Sequence, residues 1–138
     1  MNLKPWVDKG DLQKVEVTRG SLSNLLSLID RDIADAGIAS VSPDRRFAIA
    51  YSAALKLASY VIRKRGYRVA GKVGHHWITF QVAGEVLGKK AREHLDYFDV
   101  CRRKRNRLDY DLAGVATDKE VSELIEKLIE FRSLSGIS

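Results

Sequence analysis

Residues 99 to 110 gather the side chains best suited to handling phosphate. Arg102, Arg103, Lys104, Arg105 and Arg107 surround Asn106, with Asp99 upstream and Asp109 and Tyr110 downstream. A guanidinium fork matches two oxygens of one phosphate, and an amide or phenol adds a directed donor. Neighbouring cations on a helix point about 100° apart, so the run is not one flat patch. Three- and four-residue spacing instead puts Asp99, Arg102 or Arg103, Asn106 and Tyr110 on one face. Arg105 and Asp109 fall on a neighbouring face. The same residues have a plainer structural reading, in which cations offset the negative end of a helix and the two aspartates pair with them.

Other reactive residues are few. His75 and His76 are adjacent, and His94 follows 18 residues later, a spacing that suggests no metal set. The single cysteine, Cys101, lies among arginines that would lower a thiol pKa, yet a buried structural thiol is the simpler reading. Gly66, Gly71 and Gly74 have neither the spacing nor the preceding strand of a phosphate-binding loop. No metal and no cofactor are expected.

These groups must be carried by helices. Leu22, Leu25, Leu26, Ile29 and Ile33 form one stripe that predicts a helix over 21–36, ended by Gly37. Ser42-Pro43-Asp44 has the form of a helix start, and the helix should run to Arg65 before Gly66. Its alanines at 50, 54 and 58 make a row of small side chains that lets another helix approach closely. Residues 66–75 read as a basic loop. A third helix is expected over 76–87, with Trp77, Phe80, Val82, Ala83 and Val86 as its apolar content and Gly88 as its break. A fourth runs from Lys89 to about Leu108, with Leu95, Phe98 and Cys101 or Arg102 inward. Thr117-Asp118-Lys119-Glu120 forms a capping box that opens the last helix. Leu12 and Val15 suit one face of a short helix near the N-terminus. Strand signals are nearly absent, so the expected fold is all-α, an antiparallel bundle of four to five helices. Residues 1–18 read as an N-terminal extension or short helix and 19–138 as the bundle domain.

At 138 residues the chain fits one domain able to bury a core without covalent staples. A composition of 45% hydrophobic and 30% charged residues excludes disorder as the default. The net charge of +6 favours anionic partners such as nucleic acid or nucleotides. The surplus is local. Residues 42–68 carry seven Lys and Arg against Asp44, and residues 89–107 carry eight against Glu93, Asp96 and Asp99. The first residues lack the apolar run of a signal peptide, and no stretch approaches the ~18 apolar residues of a membrane span. A soluble cytoplasmic protein with no membrane association is expected.

Arg105-Asn106-Arg107-Leu108-Asp109-Tyr110 resembles the signature of HEPN domains (higher eukaryotes and prokaryotes nucleotide-binding), in which an arginine is followed by a polar residue and, a few positions on, a histidine. Arg46-Phe47-Ala48-Ile49-Ala50-Tyr51 is similar to the second-helix pattern of that family. Gly74-His75-His76, followed by Phe80, is similar to the start of its third helix. Together these cover about residues 42–112. The resemblance implies a helical bundle that forms a homodimer, with the signature near the dimer interface. It also implies a toxin-like, metal-independent ribonuclease of a toxin–antitoxin or defence system, with a nucleotidyltransferase as possible antitoxin partner. The alternative it leaves open is a non-catalytic module binding nucleotide, RNA or such a partner. On this reading Arg105, Asn106 and Tyr110 are the catalytic candidates. Arg102, Arg103, Lys104, Arg107 and Arg46 would bind phosphate or nucleic acid, with Tyr51, Asp99, Asp109 and His76 in support. The chain departs from the family at residue 110, where tyrosine stands in place of histidine. A phenol with a pKa near 10 is a poor proton shuttle at neutral pH, which leaves His76 as a substitute base. Tyr51 is expected in the core, its hydroxyl reaching a polar partner such as the signature arginine.

Overall fold

The computed structural model describes residues 1–71, 74–108 and 114–137. Among these it has six α-helices: α1 (Lys4–Asp8), α2 (Arg19–Ala36), α3 (Pro43–Lys64), α4 (His75–Leu87), α5 (Arg92–Leu108) and α6 (Asp118–Leu134). The fold is a predominantly all-α bundle, as the periodicity predicts. No helix among the described residues is long and apolar enough to cross a membrane.

The centre of the bundle is α3, which packs against α2, α4, α5 and α6. Its sequence explains that position. Ala50, Ala53, Ala54 and Ala58 are fully buried, so neighbouring backbones can come close. Phe47, Tyr51, Leu57 and Ile62 fill the space between the helices. Burial of each such large side chain stabilises the fold by about 1.5–3 kcal/mol. Against this helix α5 turns Leu95, Phe98 and Cys101 inward, and α6 turns Val121, Leu124, Leu128 and Phe131 inward. The inward side of α5 is therefore completed by Cys101, with Arg102 at its edge. Close approach also governs the α4–α5 contact. A Cβ at Gly84 would sit 3.4 Å from Leu95 Cδ1 and 3.5 Å from Arg92 Nη2, at ordinary van der Waals distance, so side chains of α5 pack directly on the α4 backbone here.

Capping follows the sequence closely. Ser42 caps α3, with Pro43 in the first turn. At α6 the Thr117 side chain accepts from the Glu120 amide, and the Glu120 carboxylate accepts from the Thr117 amide at 3.1 Å. An unanticipated clamp joins these two helix starts. Asp44 accepts from the backbone amides of Gly114 and Ala116, each at 2.8 Å. The approach to α6 is thereby fixed to the first turn of α3.

The N-terminal region differs from expectation. Leu12 is not helical but opens a strand, β1 (Leu12–Lys14), which pairs antiparallel with β2 (Tyr67–Val69) inside the expected loop. Val15 follows the strand, and its amide donates to the Gly66 carbonyl. Three-residue strands leave too short an alternation to be read from sequence. Leu3 and Leu12 join the main core, so the first residues are packed onto the bundle. A single 3₁₀ turn, Lys89–Ala91, precedes α5, which shortens the expected fourth helix at its start.

Candidate functional site

Two helices build the candidate site. The first turn of α4 supplies His75, His76 and Trp77, and the last turns of α5 supply Arg102 and Asn106. With Gly74 these residues line one open cleft of about 220 Å³.

Local backbone chemistry opens α4 toward an anion. Its N-cap is Gly74, held at φ 81° in the left-handed region that glycine adopts without steric cost. Its N-cap residue has no side chain to cap it, unlike Thr18, Ser42 and Thr117 at α2, α3 and α6. Helix-start amides without a side-chain acceptor carry partial positive charge and are natural partners for phosphate.

The α5 face is organised by Asp99. Its carboxylate accepts from Arg102 Nε at 2.8 Å and lies 3.5 Å from Arg103 Nη2. The hydrogen bond that Arg102 donates to Asp99 holds its guanidinium more firmly protonated than usual. Asp99, Arg102 and Asn106 therefore share a face, as their spacing predicts, and Arg102 rather than Arg103 enters the cleft. Arg105 does not line the cleft among the described residues, yet its charge acts on both His76 and Tyr51.

His76 occupies the middle of this arrangement. Its Nδ1 is 3.0 Å from the Tyr51 hydroxyl, and Tyr51 is fully buried in α3. Tyr51 thus reaches a polar partner as expected, but that partner is His76 and not the signature arginine. The contact leaves Nε2 as the ring nitrogen available to a ligand. Partial burial lowers the His76 pKa to about 4, helped by His75, Arg105 and Arg102. The ring is neutral at pH 7. Burial pushes the Tyr51 phenol above its ordinary value despite Arg102 and Arg105, so it too stays neutral. Arg102 and Arg105 both act on His76 and on Tyr51 as positive charges.

Several predicted residues lie elsewhere. Arg46 is 9% exposed and structural, its Nε donating to the Ala36 carbonyl at 2.7 Å and its Nη1 to Asp118 at 3.0 Å. Lys104 pairs with Glu120 and lies over the Phe47 ring. Arg103 and Arg107 are exposed on α5. Asp109 and Tyr110 fall outside the described residues. Cys101 is buried beside Tyr97, and burial pushes its thiol up to about 12, so the neighbouring arginines do not make it a thiolate. His94 faces away from this cleft to Glu130, 2.8 Å from its carboxylate. No group of three His, Cys, Asp or Glu side chains is placed to hold a metal among the described residues.

Sequence reasoning did not single out Trp77, which counted as apolar core yet is 44% exposed at the cleft. The available signal was its position directly after a histidine pair at a helix start. In comparisons with known proteins, no family model matches the chain, and no curated protein or solved structure is significantly similar to it.

Proposed function

We propose that this is an RNA-acting protein of the HEPN type, and that it grips a phosphate of the RNA in the cleft between α4 and α5. One observation carries the reading: an uncapped helix start, a neutral histidine, an arginine fixed by aspartate and an amide line a single cleft. Each offers hydrogen-bond donors, and among the described residues Asp99 is the carboxylate bonded to the arginine. Arg102 supplies the fork, Asn106 the amide, and the first-turn amides of α4 the dipole. With Tyr51 donating to Nδ1, His76 presents an Nε2–H donor to the anion.

A second reading, RNA cleavage, is favoured by the Tyr51–His76 contact. In the other tautomer, Nδ1–H donates to Tyr51 and Nε2 is an unprotonated base. It would take the 2′-hydroxyl proton while the 2′-oxygen attacks phosphorus. The 5′-oxygen would leave with a proton from solvent, giving a 2′,3′-cyclic phosphate. Arg102 and Arg105 would stabilise the phosphorane charge. An arriving phosphate anion would move the His76 pKa back upward, toward the useful range. Toxin-like action in the cytoplasm, a homodimer and a nucleotidyltransferase partner are what the HEPN resemblance adds to this proposal.

The test uses purified protein and fluorescent single-stranded RNA in EDTA, beside Arg102→Ala and His76→Ala variants. Salt-sensitive binding that weakens in Arg102→Ala supports phosphate recognition. Cleavage lost in His76→Ala supports the second reading. Binding that is absent, or unchanged in Arg102→Ala, overturns the proposal.

A further inference from the structure

An exposed tryptophan beside a cationic cleft calls for an explanation. A Trp ring buries a large apolar area when it packs, so leaving it 44% exposed forgoes stabilisation that the core could have used. Trp77 is not loosely placed. It stands in the first turn of α4 and meets Trp6 edge to face, with ring centroids 6.4 Å apart and planes at 61°. The Lys9 ammonium lies 5.9 Å from the centroid of the Trp6 ring. Residues 1–11, held against β2 by the β1 pairing and by the hydrogen bond from the Ala70 amide to the Asp11 carbonyl, therefore brace the indole from outside the bundle.

Two adjoining tryptophans are thus flanked by cations across this corner: Lys9 beside Trp6, and Arg102 in the cleft with Trp77 and the neutral His76. An aromatic surface next to a cation suits a nucleotide, whose base has an apolar face and whose phosphate carries charge. Stacking of a base on an aromatic ring is worth about 1–3 kcal/mol and is indifferent to sequence. A base inside a duplex has both faces covered and cannot use such a platform.

We infer that the cleft contains a nucleobase subsite, in which Trp77, braced by Trp6, stacks an unpaired base while Arg102, Asn106 and the α4 amides hold the phosphate of the same nucleotide. This rests on the reading of the cleft as a phosphate site. The ligand class is a nucleotide with a free base, either as a mononucleotide or within single-stranded RNA. Trp77 is a specificity residue here and takes no part in bond chemistry.

The experiment exploits the presence of two tryptophans. In a Trp6→Phe background, which keeps a ring as brace, Trp77 is the sole indole. Its fluorescence is followed during titration with AMP, ribose 5-phosphate, a single-stranded RNA and the same RNA as a duplex. AMP or single-stranded RNA should quench Trp77 and bind roughly tenfold more tightly than the ligand lacking an available base. Quenching by both AMP and the single strand marks a mononucleotide site, and quenching by the strand alone marks a site for a base within RNA. In otherwise native protein, Trp77→Ala should abolish that preference and Trp77→Phe should largely restore it, with circular dichroism unchanged in both. If AMP and ribose 5-phosphate bind equally, both depend on Arg102, and Trp77→Ala changes nothing, the subsite is overturned while the phosphate reading stands. If none of the four ligands binds, both fail. If Trp77→Ala alters only the sedimentation behaviour, the indole serves contact between copies and the subsite is overturned.

Discussion

The Tyr51 hydroxyl and His76 Nδ1 lie 3.0 Å apart, joining the central helix of the bundle to the first turn of α4. The pair couples the core to the cleft. The phenol is held by burial, and the imidazole it contacts is one of the two histidine side chains that line the cleft. Replacing Tyr51 by Phe keeps the ring packing against Phe80 and removes only the hydroxyl. The expected cost is about 1 kcal/mol in urea unfolding, together with a changed His76 tautomer balance in ¹⁵N spectra. An unchanged imidazole spectrum would refute the coupling.

The folded pKa of His76, about 4, lies below the ordinary histidine value of 6.5. The unfolded chain therefore binds this proton at higher pH than the folded one. The stability that follows is fully present above about pH 6.5 and is lost as pH falls toward 4. His75, Arg105, Arg102 and Tyr51 are the groups acting on or bonded to the ring, and the two arginines stay charged throughout. The difference in urea midpoint between the native protein and His76→Gln should shrink over that interval. Carboxylate titrations cancel in this difference. Saturating AMP should raise the His76 pKa, read by NMR, because an added anion favours the imidazolium.

Arg46 and Arg102 are both arginines of the basic helices, and their substitution should have opposite consequences. Arg46→Ala leaves the Ala36 carbonyl without its side-chain donor and removes the bond to Asp118, so a loss of about 1–3 kcal/mol in stability is expected. Arg102→Ala should change stability little. It should weaken single-stranded RNA binding and reduce the slope of log affinity against log salt by about 0.7. Thermal melts and anisotropy titrations on both variants check the contrast.

Cys101 should be inert. A thiol pushed up to about 12 has almost no thiolate at neutral pH, and its side chain is buried under α5. Labelling with a disulfide reagent should be negligible in native buffer and complete in denaturing urea. Rapid labelling of the native protein would contradict the packing of this helix.

The Asp44 carboxylate holds the amides of Gly114 and Ala116 at 2.8 Å each. Asp44→Ala should free both, costing about 1–3 kcal/mol. Hydrogen exchange at those two amides should accelerate more than at the α6 core residues Leu124 and Leu128. Uniform acceleration across α6 would instead mean that the helix as a whole had loosened.

The sequence alone determined the five long helices α2 to α6, because each signal that defines them is local, whereas α1 carried no such signal. The stripe of α2, the Ser42-Pro43 start of α3 and the Thr117–Glu120 box all act within a few residues, and all three appear where their chemistry puts them. It also determined that Asp99, Arg102 and Asn106 share a face, since three- and four-residue spacing needs only a helix. Tertiary structure decided what these faces meet. Arg46 and Arg102 look alike in the chain, and only packing made one a buried strut and the other a cleft residue. The β1–β2 pair joins residues more than fifty positions apart in strands too short for a pattern, so no local rule could reveal it. That pairing carries Trp6 to Trp77, just as the packing of α3 against α4 carries Tyr51 to His76. The cleft is a property of those long-range contacts, and the sequence held only its separate parts.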